Sequence, residues 1–173
     1  MKFNPDIVQS RFQSPLGALT LAATGQGLAG VWFEGQRHLP DELATPARWP
    51  TDAAHPVLEK AAQQLGEYFA LQRHEFDLPL DLSGGTAFQQ AVWQALLAIP
   101  AGHTTSYGWI SQHIGNAAAV RAVGAAVGRN PISIIVPCHR VLGADGSLTG
   151  YAGGLNRKTA LLSLEGALAE TLL

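Results

Sequence analysis

Polar and apolar positions alternate through Ser14-Pro15-Leu16-Gly17-Ala18-Leu19-Thr20-Leu21-Ala22, a period of two that predicts a β-strand over 14–22. A Thr24-Gly25-Gln26-Gly27 turn follows, then the apolar run Leu28-Ala29-Gly30-Val31-Trp32-Phe33, and the pair reads as a hairpin. Pro40, Pro46 and Pro50 predict an irregular loop. Beyond it Val57, Leu58, Ala61, Ala62, Leu65 and Phe69 recur at steps of three and four, which predicts an amphipathic helix over 56–71. One further strand is expected over 76–80. The pattern then changes to short helical periods. Thr86 precedes Gln89 by three residues, a capping-box spacing, and Phe88, Val92, Leu96 and Ile99 give the apolar stripe that ends at Pro100-Ala101-Gly102. A second helix is predicted over 106–114, stopped by Gly115. A third, capped by Asn116, covers 117–127 and breaks at Gly128-Arg129-Asn130-Pro131. Two short helices joined by a Gly-Asn turn match a helix-turn-helix. A β-branched run over 132–136 predicts a strand ending at Pro137, and a last helix over 155–164 precedes Gly166.

The chain therefore divides near Ser83-Gly84-Gly85 into 1–85, a small α/β scaffold, and 86–173, mostly helical, for an α+β protein overall. Charge follows the same division: 6 Lys+Arg stand against 10 Asp+Glu in the first part, and 5 against 3 in the second. With 47% hydrophobic and 14% charged residues, the 173-residue chain is too apolar for disorder and long enough for a self-sufficient core. A net charge of −2 argues against binding nucleic acid by bulk electrostatics alone, while leaving room for a small specific contact. The opening MKFNPDIVQSRF is no signal peptide, and no run approaches the ~18 apolar residues of a membrane span. The lone Cys138 excludes an internal disulfide and a zinc site built on paired cysteines, and it fits a reducing compartment. The expectation is a cytoplasmic protein with no metal or other cofactor and no membrane partner.

Candidate chemistry gathers around that thiol in Pro137-Cys138-His139-Arg140. A lone cysteine in an apolar chain is ordinarily an inert small core residue. Here it follows a proline that fixes its backbone, and it is followed by a histidine and an arginine, both of which favour thiolate. Neighbours on a strand point to opposite faces, so cooperation between Cys138 and His139 requires a turn after Pro137. The histidine also needs an orienting acid. Asp145, Glu165 and Glu170 are the carboxylates downstream, and Glu165, at the end of the last helix, is the candidate. The helix over 117–127 is nearly all Ala, Gly and Val with one cation, Arg121. A smooth face of that kind suits close approach in a minor groove better than base readout in the major groove.

Taken together, these segments resemble the O6-alkylguanine-DNA alkyltransferases. The resemblance is carried by Ile135-Val136-Pro137-Cys138-His139-Arg140-Val141, by Ala119-Val120-Arg121-Ala122-Val123-Gly124 and Asn130-Pro131 upstream, and by Gly150-Tyr151-Ala152-Gly153-Gly154 and Leu164-Glu165-Gly166 downstream. Ser14-Pro15-Leu16-Gly17 is also typical. The resemblance implies a ribonuclease-H-like N-terminal domain and a winged-helix-like C-terminal one. It implies that Cys138 accepts the alkyl group, that His139 draws the thiol proton through a water, and that Glu165 orients the histidine. Asn130 would brace the cysteine turn. Arg121 would enter double-stranded DNA from the minor groove to fill the place of the flipped guanine, and Tyr107 would assist flipping and offer its hydroxyl to guanine N3. Tyr151 and Val141 would wall the pocket, the Ala152 amide would approach O6, and Gly153 would complete that segment. Some members carry serine where Ala152 stands, so a hydroxyl contact is missing here. The implied reaction is direct reversal of O6-alkylguanine, with O4-alkylthymine left open, in a single self-inactivating turnover. The implied state is a monomer in solution, cooperative assembly on DNA being left open.

Two other classes fit parts of the pattern. One is a non-catalytic lesion-binding or regulatory module. The other is a cysteine hydrolase using Cys138, His139 and Glu165, which repeated turnover would distinguish.

Overall fold

The computed structural model describes residues 1–44 and 46–168. Glu170 and the end of the second predicted domain lie outside the described residues. The chain forms two compact units, one of Met1–Thr86 with Pro131–Ser133, the other of Ala87–Asn130 and the chain from Ile134 onward.

The first unit is built on an antiparallel sheet of β1 (Val8–Ser14), β2 (Gly17–Thr24) and β3 (Gly27–Phe33) in that order. Strand β1 lies outside the sequence-based expectation, and Ser14-Pro15-Leu16-Gly17 is the turn that joins it to β2. There Ser14 Oγ donates to Gly17 O at 2.7 Å and accepts from Leu16 N–H at 3.1 Å. All seven residues of β3 are buried, although it is an edge strand of the three-stranded sheet, which fits an apolar strand covered on both faces. Its outer edge is covered by isolated bridges from Leu80 to Leu28 and from Ile132 to Val31, while Thr51 bridges Gln9 on the opposite edge. Neither edge is left as a bare ladder. The expected strand over 76–80 thus reduces to the single bridge at Leu80. Helix α1 (Pro56–Phe69) packs on the sheet through Leu58, Ala61, Leu65 and Tyr68. A second apolar cluster joins Ile7, Ala22, Ala29, Trp32 and Trp49, with Phe3 edge-on to both tryptophans. The Trp32 indole lies over Gly30, where a Cβ would come within 1.9 Å of the ring, so this position admits only glycine.

The second unit packs α2 (Ala87–Leu96), α3 (Tyr107–His113) and α4 (Val120–Gly128) on one another and adds α5 (Leu155–Leu164). Ser106 caps α3, its Oγ accepting from Trp109 N–H. Helix α4 begins three residues later than the periodicity suggests, at Val120, because Asn116 forms a turn with Ala119 instead of a cap. The fully buried Trp93 of α2 donates Nε1–H to Ala126 O at 2.8 Å, satisfying a carbonyl at the C-terminal end of α4. Two short parallel strands, β4 (Thr105–Ser106) and β5 (Val141–Leu142), bring the start of α3 beside the segment after the cysteine. Among the described residues no helix is long and apolar enough to cross a membrane.

Candidate active site

The run over 132–136 does not continue as a strand. After the bridge at Ile132 the chain turns, and Ile134 adopts φ 71°, a left-handed conformation that a β-branched residue takes only when its surroundings impose it. Pro137 has φ −83° and ψ 63°, and the Cys138 N–H donates to Val136 O at 2.8 Å. These are the marks of an inverse γ-turn, centred on a residue whose ring already fixes φ. A single 3₁₀ turn over Cys138–Arg140 follows, closed by Arg140 N–H to Pro137 O at 3.0 Å. With three residues per turn, Cys138 and His139 escape the strand's alternation and both lie inside. Cys138 is 6% exposed, His139 0% and Arg140 6%.

His139 Nε2–H donates to Glu165 Oε2 at 2.8 Å, and Arg140 clamps the same carboxylate through Nε to Oε1 and Nη2 to Oε2, each at 2.8 Å. Arg140 Nη1 donates to Ile99 O at 2.6 Å, so the guanidinium is held on three sides. Burial alone would raise the Glu165 carboxyl, but the hydrogen bonds from Arg140 and His139, with the Arg140 charge, overcome it and bring the pKa to about 2. For His139 burial dominates and pushes the pKa down, against the raising influence of Glu165. The ring is therefore neutral at pH 7, and the Nε2–H tautomer follows from its bond to Glu165. Its other nitrogen, Nδ1, is buried with no hydrogen-bond partner among the described residues.

The thiol departs from the sequence-based expectation. Burial pushes the Cys138 pKa up, and the groups that pull it down are the Asn130 amide and the charge of Lys158, not His139 or Arg140. The histidine is neutral and the arginine's charge is committed to Glu165. Asn130 Nδ2 also donates to Val136 O at 2.8 Å, the same carbonyl that closes the γ-turn. Asn130, Cys138, His139 and Glu165 are thus brought together.

The remaining candidates sit around this core. Tyr107 begins α3; its hydroxyl lies 3.4 Å from Thr149 Oγ1, and its ring passes 4.0 Å from where a Cβ on Gly124 of α4 would stand. Val141 opens β5 and is buried. Tyr151 and Ala152 are half-buried and Gly153 is buried, its carbonyl accepting from Arg157. Arg121 stands apart, exposed at the second position of α4, where Ala122 and Ala125 are exposed with it.

Sequence reasoning gave Arg140 another role and missed Lys158. Arg140 locks Glu165 instead of drawing the thiol toward thiolate. Lys158, on α5, is fully buried and donates to Val141 O, Thr149 O and Gly150 O at 2.6, 2.7 and 3.3 Å. The available signal was spacing: Lys158, Leu161, Leu162 and Glu165 fall on one helical face.

Residues 7–82 match the 6-O-methylguanine DNA methyltransferase ribonuclease-like domain, and residues 87–167 match the DNA binding domain of the same family. A methylated-DNA–protein-cysteine methyltransferase from Mycobacterium tuberculosis is 53% identical over 152 residues, 88% of each chain. Its counterpart in Methanosarcina acetivorans is 47% identical over 157 residues, 90% of this chain and 96% of that one. The crystal structure of Mycobacterium tuberculosis OGT in complex with DNA superposes with a TM-score of 0.80 at 50% identity, covering 91% of both chains. Fold, ordered motifs and overall likeness agree, and the chain belongs to the 6-O-methylguanine DNA methyltransferase family.

Proposed function

We propose that this protein repairs O6-alkylguanine in DNA by moving the alkyl group onto its own Cys138. The observation that carries the proposal is the buried chain of Glu165, His139 and an unpartnered Nδ1 on the same tight turn as the thiol. A resting thiol held protonated by burial needs a base, and a neutral imidazole with one free lone pair supplies it. His139 Nδ1 takes the proton, directly or through one water, and the imidazolium that forms is balanced by the Glu165 carboxylate. The sulfur then attacks the alkyl carbon. The S–C bond forms as the C–O6 bond breaks, and the electron pair passes to the purine, which regains a proton. Donors at the leaving base, the Tyr107 hydroxyl at N3 and the Ala152 amide at O6, lower the barrier by stabilising that charge. Tyr151, Gly153 and Val141 frame the pocket. The product is a chemically stable thioether, so each molecule reacts once.

The substrate is double-stranded DNA with the guanine flipped out, since a stacked base hides its O6 substituent. The exposed Arg121 among small side chains on α4 fits entry through the minor groove with little sequence readout. The DNA-bound mycobacterial relative supports this partner. The working state is a monomer that needs no cofactor, in the reducing cytoplasm where the lone thiol of Cys138 stays free.

Intact-protein mass after incubation with a duplex containing O6-methylguanine, followed by peptide mapping, tests the reading. One added methyl on Cys138, saturating at one per chain as guanine is restored, is expected, and Cys138→Ser should bind the duplex without any gain in mass. Binding by the wild type without a mass change would instead make the protein a lesion-binding module.

A further inference from the structure

We propose that Trp109, Gln112 and His113, the outward face of α3, form a second contact with duplex DNA, lying against the sugar–phosphate wall beside the groove that Arg121 enters. The inference rests on the DNA-repair reading above. Trp109 is a tryptophan that the fold does not use. Trp32, Trp49 and Trp93 are 2%, 8% and 0% exposed, whereas Trp109 is 39% exposed. Helix α3 buries its other side through Ile110 and Ser111, and the Tyr107 ring turns toward Gly124 of α4. Residues 109, 112 and 113 follow the i, i+3, i+4 spacing of one helical face, and all three are exposed. The Trp109 and His113 rings stack with centroids 4.7 Å apart and planes 21° from parallel. An i, i+4 pair of this kind adds little to the stability of a seven-residue helix, but it presents a flat aromatic surface in a fixed position.

Charge and placement name the occupant. No Asp or Glu occurs from Leu82 through Ala144, and among the described residues of the second unit Asp145 is the one exposed carboxylate. Arg121 and Arg129 are exposed on the same unit. A face without negative charge, beside exposed cations, complements a polyanion. His113 ends α3, and Arg121 is the second residue of α4. The turn between them runs through Gly115, Asn116, Ala117 and Ala118, all short and exposed. It is held against α3 by Ser111, whose Oγ donates to Asn116 O and whose carbonyl accepts from Asn116 N–H at 2.9 Å. A minor groove is about 6 Å wide, so a duplex that takes Arg121 into it presents a sugar–phosphate wall on either side. Across the thin turn, one wall meets the α3 face. There Trp109 covers a deoxyribose, and the Gln112 amide and His113 imidazole donate to phosphate oxygens. Contacts of that kind carry no sequence information, so the surface adds affinity for damaged and undamaged duplex alike.

Because the other three tryptophans are buried, fluorescence reads the contact directly. Acrylamide should quench part of the emission of the free wild type. Once an undamaged duplex saturates the protein, quenching should fall to the level of Trp109→Phe. Affinity for the same duplex, read from the anisotropy of a labelled strand, should drop about tenfold in Trp109→Ala and about fivefold in His113→Ala. The losses should be equal on a duplex carrying O6-methylguanine. Gln112→Glu, which sets a carboxylate in the acid-free face, should weaken binding more at low salt than at high salt, a dependence that a purely structural role would not produce. Trp109 as open to acrylamide in the complex as in the free protein overturns the proposal, and so do wild-type affinities in Trp109→Ala and His113→Ala. The quenching measurement on the wild type decides the matter even where a variant fails to fold. Failure of the wild type to bind any duplex would overturn the DNA-repair reading together with the proposal. Binding that shields Trp109 without alkyl uptake would defeat the transfer reading alone.

Discussion

Lys158 and Glu165 stand seven residues apart on one face of α5, each at the end of the helix where the dipole opposes its charge. The cation lies in the first turn and the carboxylate at the C-cap, with Leu161 and Leu162 buried between them. Helix propensity and dipole would place these charges the other way round. What holds them is the cysteine turn and its flanks: Glu165 receives His139 and both arms of Arg140, and Lys158 binds the carbonyl that follows the turn. One helix thus anchors both the base and the segment that follows the thiol.

The Glu165 cluster makes a definite prediction for acid stability. The folded pKa of about 2 lies below the ordinary 4.5, so Glu165 contributes stability that is fully present above pH 4.5 and is lost as pH falls toward 2. The shift corresponds to roughly 3 kcal/mol. In Glu165→Gln this acid-linked loss should disappear. At pH 7 the variant should be less stable by ~3–5 kcal/mol, because Arg140 stays buried without its carboxylate. Urea unfolding between pH 7 and 3 measures both. An unchanged midpoint at pH 7 would mean that Arg140 finds another partner or reaches water.

Asn130 should act on rate more than on stability. Its Nδ2 donates to Val136 O, which also accepts from Cys138 N–H, so Asn130→Ala leaves that carbonyl with one partner and costs about 1 kcal/mol. The hydrogen bond that eases thiolate formation is lost as well. The pH–rate profile with iodoacetamide should therefore move to higher pH in Asn130→Ala and further still in Asn130→Asp, where a carboxylate would face the sulfur. A profile that stays in place in both variants would show that Asn130 only braces the turn.

The reasons why parts of the fold and site were legible, and others not, can be traced to single residues. Helix α5 matches its predicted bounds because Gly154 precedes it, Gly166 follows it, and its apolar residues keep helical spacing. Strand β1 was missed because Gln9, Ser10, Arg11 and Gln13 give it few apolar positions; its pairing with β2 supplies the order that its own side chains do not. The run over 132–136 reads as a strand by composition, yet Ile134 takes a positive φ that local preference opposes, so tertiary context decides it. At the site, Cys138, His139 and Glu165 were legible from residue type and order. The upward direction of the thiol's shift was not, because burial, which sets it, is a property of the folded chain, and the groups that oppose it lie 8 residues upstream at Asn130 and 20 downstream at Lys158.

The small side chains on α4 predict a surface that must stay thin. Ala122 is exposed, so Ala122→Leu should change stability by no more than about 0.5 kcal/mol. If DNA approaches this face closely, the added bulk should slow repair of a duplex while free O6-benzylguanine reacts at the wild-type rate. Parallel thermal melts and the two rates check it. Wild-type rates on both substrates would place the DNA elsewhere.

Arg121 should separate the two substrates in the same direction for a different reason. It is exposed at the second position of α4, so Arg121→Ala should leave the melting temperature close to that of the wild type. Free O6-benzylguanine needs no flipping and should react normally. In a duplex, flipping costs a few kcal/mol of unstacking, part of which an inserted side chain offsets. Losing ~1.4 kcal/mol of that compensation slows the duplex reaction about tenfold. The expected result is thus a tenfold or larger ratio between the two rate losses, and a smaller loss on duplexes where the lesion faces a mismatch and is already poorly stacked. Equal slowing on both substrates would put the effect of Arg121 in the fold of the second unit instead of at the DNA.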